Sequence, residues 1–298
     1  MKLIILTIYI FISKILCMTF ETSWGECTLI NSETAINNIE LINTVNLEIE
    51  ALNSLYGPIP KKNFTITVAD NKSLKINNTH WKWSLGITYS NPDRIIIKSP
   101  SISKISQARF MQVMKHELNH VMLNRFKLHY TIPRWFKEGF AMKHADEITL
   151  NHKISVAKHL HNAELFDINK YNNFHHFNRS EFNFAYSLSS IYILILEKLY
   201  GDSINDYIIR DLKNGYKFNT AFYNATGKLI DEFNIISYEY IKNNFFWYKL
   251  IQLPKNLFSL MPLLLVIGFY IRSKKNRKIK EQWELEEQLE DLENHINQ

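Results

Sequence analysis

The stretch 114-MKHELNHVML-123 places His116 and His120 four residues apart, with Glu117 directly after the first histidine. On an α-helix, residues four apart lie one turn on along the same face, so both imidazoles can aim at one point. Glu117 is rotated by about 100° from His116, outside a comfortable ligand position but near enough to reach a water beside an ion. Zinc held by three protein side chains acidifies such a water, and a carboxylate can then take its proton. The spacing therefore carries hydrolytic chemistry if a third ligand exists. The segment 133-PRWFKEGFA-141 offers one, because Glu138 stands eighteen positions beyond His120. A hairpin across 127-KLHYTI-132 would bring that carboxylate to the same point. Trp135 and Phe136 are expected to pack the second helix, and Gly139 to let it approach the first closely.

Other third ligands fit less well. A motif with a third histidine six residues on would need a glycine at 123 and a histidine at 126, where the chain has Leu123 and Phe126. His129 falls in the connecting loop, and His144 lies almost two turns past Glu138; both read more readily as surface histidines, as do His175 and His176. Arg109, Lys115, Arg125 and Lys127 make the first helix unfit for lipid, which disfavours an intramembrane site.

Several elements must position these residues. Apolar residues at spacings of three and four predict a helix over 33–56, stopped by Gly57-Pro58. The stretch 63-NFTITVAD-70 alternates like a strand, and 94-RIIIKS-99 reads as another after the turn Asn91-Pro92-Asp93. The metal-bearing helix is expected over Ile105 to Phe126, and the second from Pro133 to about Lys143. A polar, aromatic-rich connection follows over Asp167 to Phe184. Helices are expected at Ser187–Tyr200 and Ile204–Asn214, with two shorter ones over 219–243 broken at Gly227. Strands early and helices late predict an α+β domain over about 28–245.

These residues resemble the gluzincin metallopeptidases, in particular the peptidase MA-like domain, which has His-Glu-Leu-x-His followed by Pro-x-Trp-x-x-Glu-Gly-x-Ala. Both patterns stand in this chain. The resemblance extends to 86-GITYSNPDRIIIK-98 upstream, and to 185-AYSLSSIYILILEKLYG-201 and 220-TAFYNATG-227 downstream. It implies a zincin-like fold with a small N-terminal sheet and a mainly helical C-terminal part. It also implies one zinc ion on His116, His120 and Glu138, with Glu117 as general base. Tyr186 would be a hydrogen-bond donor to the oxyanion, or else an ordinary core tyrosine. Leu188 and Ser189 stand where that family often has a glutamine.

The chain-wide features constrain where such a domain would act. An apolar share of 46% supports a sizeable core. Cys17 and Cys27 are the two cysteines, so no disulfide framework or thiolate zinc site can be built. The net charge of +6 is scattered apart from 272-RSKKNRKIK-280, which has no interleaved aromatics; nucleic acid is not an expected partner. Residues 1–19 read as a signal peptide or N-terminal anchor. Residues 256–271 carry no charge and predict a transmembrane helix, with 272–298 as a short cytoplasmic tail ending in a solvated acidic helix. The expectation is a single-pass protein of the cell membrane, anchored in the bilayer by that helix, with its catalytic domain outside and its C-terminus in the cytoplasm. Its expected activity is zinc-dependent hydrolysis of peptide or protein substrates. The rival expectation is a zincin-fold binding protein at the membrane surface without catalysis, and the presence of Glu117 argues against it.

Overall fold

The computed structural model describes residues 16–31, 33, 36–69, 83–126, 132–172, 177–248 and 261–296. The chain divides into two units, Met1–Phe246 and Trp247–Gln298. The first holds a five-stranded mixed sheet followed by helices, the α+β arrangement expected. Strands β1 (Leu16–Thr22) and β2 (Gly25–Asn31) form an antiparallel hairpin. β2 runs parallel to β3 (Phe64–Ala69), which runs parallel to β5 (Asp93–Lys98). β4 (Gly86–Ser90) pairs antiparallel with β5 and is an edge strand of the order β1-β2-β3-β5-β4. β1 begins inside the segment 1–19 expected to be a leader or anchor; the rest of that segment lies outside the described residues.

Helix α1 (Asn38–Tyr56) crosses between β2 and β3. The Asn37 side chain caps it by accepting from the Ile39 and Glu40 amides, and Gly57, at φ 74°, ends it. A single turn, α2 (Pro100–Ser103), leads to α3 (Gln107–Arg125), capped by Ser106. Then come α4 (Arg134–His144) and α5 (Leu150–Lys158), the latter not foreseen from the sequence, followed by two short 3-10 turns. α6 (Arg179–Tyr200) opens with a capping box of Asn178 and Glu181, so it starts eight residues earlier than the pattern from Ser187 suggested. α7 (Ile204–Lys213), α8 (Phe218–Thr226) and α9 (Ile230–Phe245) complete the unit, with the expected break at Gly227.

Two packing features fix the frame around α3 and α4. At the C-terminal end of α3 the Arg125 side chain is buried against the sheet. Its Nε donates to Asp93 Oδ2 at 2.9 Å, while Nη1 and Nη2 donate to the carbonyls of Trp24 and Lys62 at 2.8 and 2.6 Å. The guanidinium also lies over the Trp24 and Phe64 rings. One cation thus ties the helix to the β1–β2 turn, the loop before β3 and the start of β5, and its donors are well satisfied for a buried charge. On α4, Trp135 and Phe136 are buried as expected, in an aromatic cluster with Tyr192, Phe218, Phe222 and Phe233.

Gly139 corrects an expectation. It is not the point where α4 nears α3; it is where α4 meets α6. A Cβ there would lie 2.6 Å from Ile193 Cγ1 and 2.8 Å from the Ser189 carbonyl carbon. A backbone carbonyl inside a helix cannot step aside cheaply. Gly139→Ala is therefore expected to destabilise the unit by about 3 kcal/mol through overpacking, read as a lowered urea midpoint at unchanged slope. A midpoint within error of wild type would show that α4 and α6 are not so tightly apposed.

The second unit corrects the membrane expectation. Its described part is one helix, α10 (Met261–Ile296). Among the described residues no helix is long and apolar enough to cross a membrane. Arg272 and the basic run follow Ile271 inside the same helix, so its apolar stretch is only Met261 to Ile271. At 1.5 Å per residue that is about 16 Å, roughly half of a hydrocarbon core. Residues 256–260 of the expected span lie outside the described residues. The predicted transmembrane helix over 256–271 is overturned, and with it the single-pass, bilayer-anchored placement of the catalytic domain outside the cell. The acidic stretch from 281 is not a separate short helix but the continuation of α10.

Candidate metal centre

α3 lies between the sheet and α4, and its buried face carries His116, Glu117 and His120. α4 presents Glu138 to that face. The four residues expected from the sequence to form the site are thus brought together. The His116 and His120 Nε2 atoms are 3.1 Å apart, and Glu138 Oε2 lies 3.4 Å from each. These three side chains form a group that could hold a metal ion. Glu138 Oε2 is buried and has no hydrogen-bond partner. A carboxylate oxygen left so inside a protein is costly, and a cation at the focus of the three atoms removes that cost. The other oxygen, Oε1, accepts from Arg134 Nε at 3.3 Å.

The electrostatics match this grouping. Burial alone would raise the Glu138 pKa, but His120, His116 and then Arg134 outweigh it and hold the carboxyl well below its usual range. Burial would likewise lower the His116 pKa; the Glu147 charge, the Glu138 carboxylate 3.4 Å away and the hydrogen bond that His116 donates to Glu147 outweigh it and raise it well above the usual histidine value. Metal binding by an imidazole needs its neutral form, so occupation of this cluster is expected to be weaker at low pH.

Glu117 stands beside the cluster and not in it. Side chains two apart in a strand share a face, so Gly86 and Thr88 of β4 both point at α3. Thr88 Oγ1 donates to Glu117 Oε2 at 2.6 Å. Gly86 leaves the space the side chain occupies, since a Cβ there would lie 2.5 Å from Oε1 and 2.8 Å from Cγ. Burial raises the Glu117 pKa above the usual carboxylate value, partly offset by His120 and His116. The result is a stronger base than a free glutamate, held in one orientation.

Tyr186 is half-buried, its ring tilted by 37° against that of Phe182 with centroids 4.6 Å apart, and it interacts with Glu138 and Arg134. Burial and then the Glu138 charge push its phenol far up, so it remains a hydrogen-bond donor. His144, the reserve third ligand, is committed elsewhere: Nδ1 bonds the Phe140 carbonyl at 3.1 Å and Nε2 the Tyr56 hydroxyl at 2.8 Å. His129, His175 and His176 lie outside the described residues.

The sequence reading missed Glu147. α4 ends in a Schellman turn: Glu147 N–H bonds Met142 O at 2.9 Å and Asp146 N–H bonds Lys143 O at 3.2 Å, with Asp146 left-handed at φ 52°. That turn sends the buried Glu147 carboxylate back to α3, where Oε2 accepts from His116 Nδ1 at 3.0 Å and Oε1 pairs with Arg109 at 3.0 Å. A carboxylate can only accept, so His116 keeps its proton on Nδ1 and turns the Nε2 lone pair to the cluster. Glu147→Gln is expected to weaken metal binding by about 10- to 100-fold, measured by competition with a chelator. Affinity equal to wild type would show that His116 needs no such orientation.

The cluster opens on a cleft of about 390 Å³ whose lining includes Gly86, His116, Glu117, Trp83, Phe182 and Tyr186. The sequence matches no protein-family model and no curated protein.

Proposed function

We propose that this chain is a zinc-dependent metallopeptidase of gluzincin type, with His116, His120 and Glu138 as ligands of one zinc ion and Glu117 as general base. The observation that carries the reading is the Glu117 carboxylate, held by Thr88 and given room by Gly86, at the wall of a cleft and next to a three-residue ligand set it does not join. A structural metal site has no use for such a group. Two imidazoles and one carboxylate, with a position left open, suit catalytic zinc. Zinc bonds of about 2.0–2.1 Å at tetrahedral angles put neighbouring ligand atoms roughly 3.3–3.4 Å apart, close to the 3.1, 3.4 and 3.4 Å separations of the three donor atoms.

Zinc held there supplies a Lewis acid that makes water acidic near neutral pH and polarises a carbonyl. Glu117 takes the proton of the water that attacks the peptide carbonyl carbon, and it returns that proton to the amine nitrogen as the C–N bond breaks. Tyr186, kept protonated, donates a hydrogen bond to the oxyanion formed on the way. Among the described residues β4 pairs on one side with β5 alone, so its outer edge can receive an extended peptide running past Glu117. That edge supports the reading of a peptide or protein substrate. Metal analysis of the purified chain together with a broad peptide-library digest tests the reading. One zinc per chain and zinc-dependent cleavage are expected; a zinc-loaded protein that cleaves no peptide would make it a binding protein instead.

A further inference from the structure

The cleft extends from Glu117 and His116 to a far end lined by Arg109, Asn151, His152 and Ser155. Apart from two histidines, Arg109 is the cationic side chain among the described residues that line it. It projects from α3 seven residues before His116, on the same face and about 10 Å away along the helix axis. Its Nη1 is engaged by Glu147 Oε1 at 3.0 Å and Gln112 Oε1 at 3.2 Å. Among the described residues Nη2 and Nε have no hydrogen-bond or ion-pair partner, and the side chain is 36% exposed. Glu147 fixes the guanidinium without using up its fork, which leaves a rigid, half-open donor pair facing a walled cleft. Such a fork binds carboxylates in preference to neutral groups.

We infer that the far end of the cleft is a carboxylate subsite, and that the preferred substrates are peptides carrying a carboxylate two or three residues from the bond that is cut. This rests on the peptidase reading and names its substrate class. The guanidinium stands one carboxylate beyond His116, since Glu147 bridges the two, and at about 3.3–3.6 Å per residue of extended chain that separation spans two or three residues. The carboxylate belongs either to an acidic side chain or to the free C-terminus of the peptide. Glu147, itself paired with Arg109, also lines the cleft, and Asn151, His152 and Ser155 are neutral, hydrogen-bonding groups that suit the backbone of the same segment. Arg109 also has a positioning role, since it shares Glu147 with His116; the subsite is a separate use of its other two nitrogens.

The test compares peptides in matched pairs: Glu against Gln, Asp against Asn at each position within four residues of the cut, and a free C-terminal carboxylate against its carboxamide. Cleavage sites are mapped by mass spectrometry. The acid member of one pair is expected to exceed its amide by tenfold or more in kcat/KM, mainly through KM. Which pair responds tells an acidic side chain from a terminal carboxylate. Arg109→Gln should abolish the preference and Arg109→Lys should keep part of it, with zinc content measured in each so that a disturbed His116 is recognised. In parallel, calorimetric titration of zinc-loaded Glu117→Gln with the same acid and amide peptides reads binding without turnover. Equal handling of acids and amides by the wild-type chain, or a preference that survives Arg109→Gln, overturns the subsite. Tight acid-selective binding with no hydrolysis in the wild type would keep the subsite and remove the peptidase reading.

Discussion

Glu117→Gln is expected to lower peptide hydrolysis by about 10²- to 10⁴-fold, the usual worth of a general base, while zinc content stays at one per chain. The substitution is nearly isosteric. Its amide oxygen can still accept from Thr88 Oγ1, and the space left by Gly86 still fits it. What is lost is the ability to carry a proton. The metal should be indifferent, because the proposed ligand atoms are His116 Nε2, His120 Nε2 and Glu138 Oε2, and Glu117 is not among the residues grouped there. Stability should not fall either, since a buried carboxylate whose pKa is raised by burial is replaced by a neutral group. Steady-state kinetics on a quenched peptide, with zinc determined on the same sample, check both halves. A variant that keeps an appreciable fraction of wild-type turnover would remove the proposed mechanism.

Glu138→Ala should act on the other property. It removes the anionic ligand and leaves two imidazoles, so zinc affinity should drop by at least about 10²-fold, and activity at limiting zinc should go with it. The loaded protein should also lose stability. A ligand present at about 100 times its dissociation constant contributes roughly 2.7 kcal/mol, and the variant forfeits most of that. In zinc-free buffer the two proteins should differ less, because Arg134, the partner of Oε1, is 27% exposed and can turn to water. Equilibrium dialysis against a zinc buffer separates this from a surface carboxylate, for which retention would be unchanged. Unchanged retention would mean that the third ligand is another residue; His144 is already committed to Phe140 and Tyr56.

Much of the site was legible because its parts are local. His116 and His120 are fixed by helix periodicity. Pro133 and the buried Trp135 and Phe136 announce a second helix, which leaves Glu138 few places to go. The residues that orient this set were not legible, because each depends on tertiary geometry. Glu147 arrives through a turn whose left-handed position is Asp146, not the glycine that would have marked it. Thr88 and Gly86 matter only once β4 is known to lie along α3. Gly139 reads as a close-approach residue, but nothing in the sequence says that its neighbour is α6. The hairpin β1–β2 was missed because the inward apolar residues of β2, Cys27 and Leu29, make too short an alternating run, and the hairpin adjoins an apolar leader-like segment. The C-terminal apolar stretch misled for the opposite reason: composition marks it as a span, while the apolar part of the helix is too short to be one.

The Arg125 anchor has a consequence for how the protein would be filled. α3 is held to the sheet by a cation that ties together a turn, a loop and the start of β5, and α4 is held by its own aromatic cluster, so both parts of the proposed ligand set are held by contacts that involve no ion. This is unlike a zinc finger, where the metal is the core. Such a chain folds first and loads afterwards: a chelator should strip it to an intact, inactive shell that regains activity on simple addition of metal, with no refolding step. Occupancy of the proposed site would then follow the free metal around it, and the fold is expected to endure whether the site is filled or not.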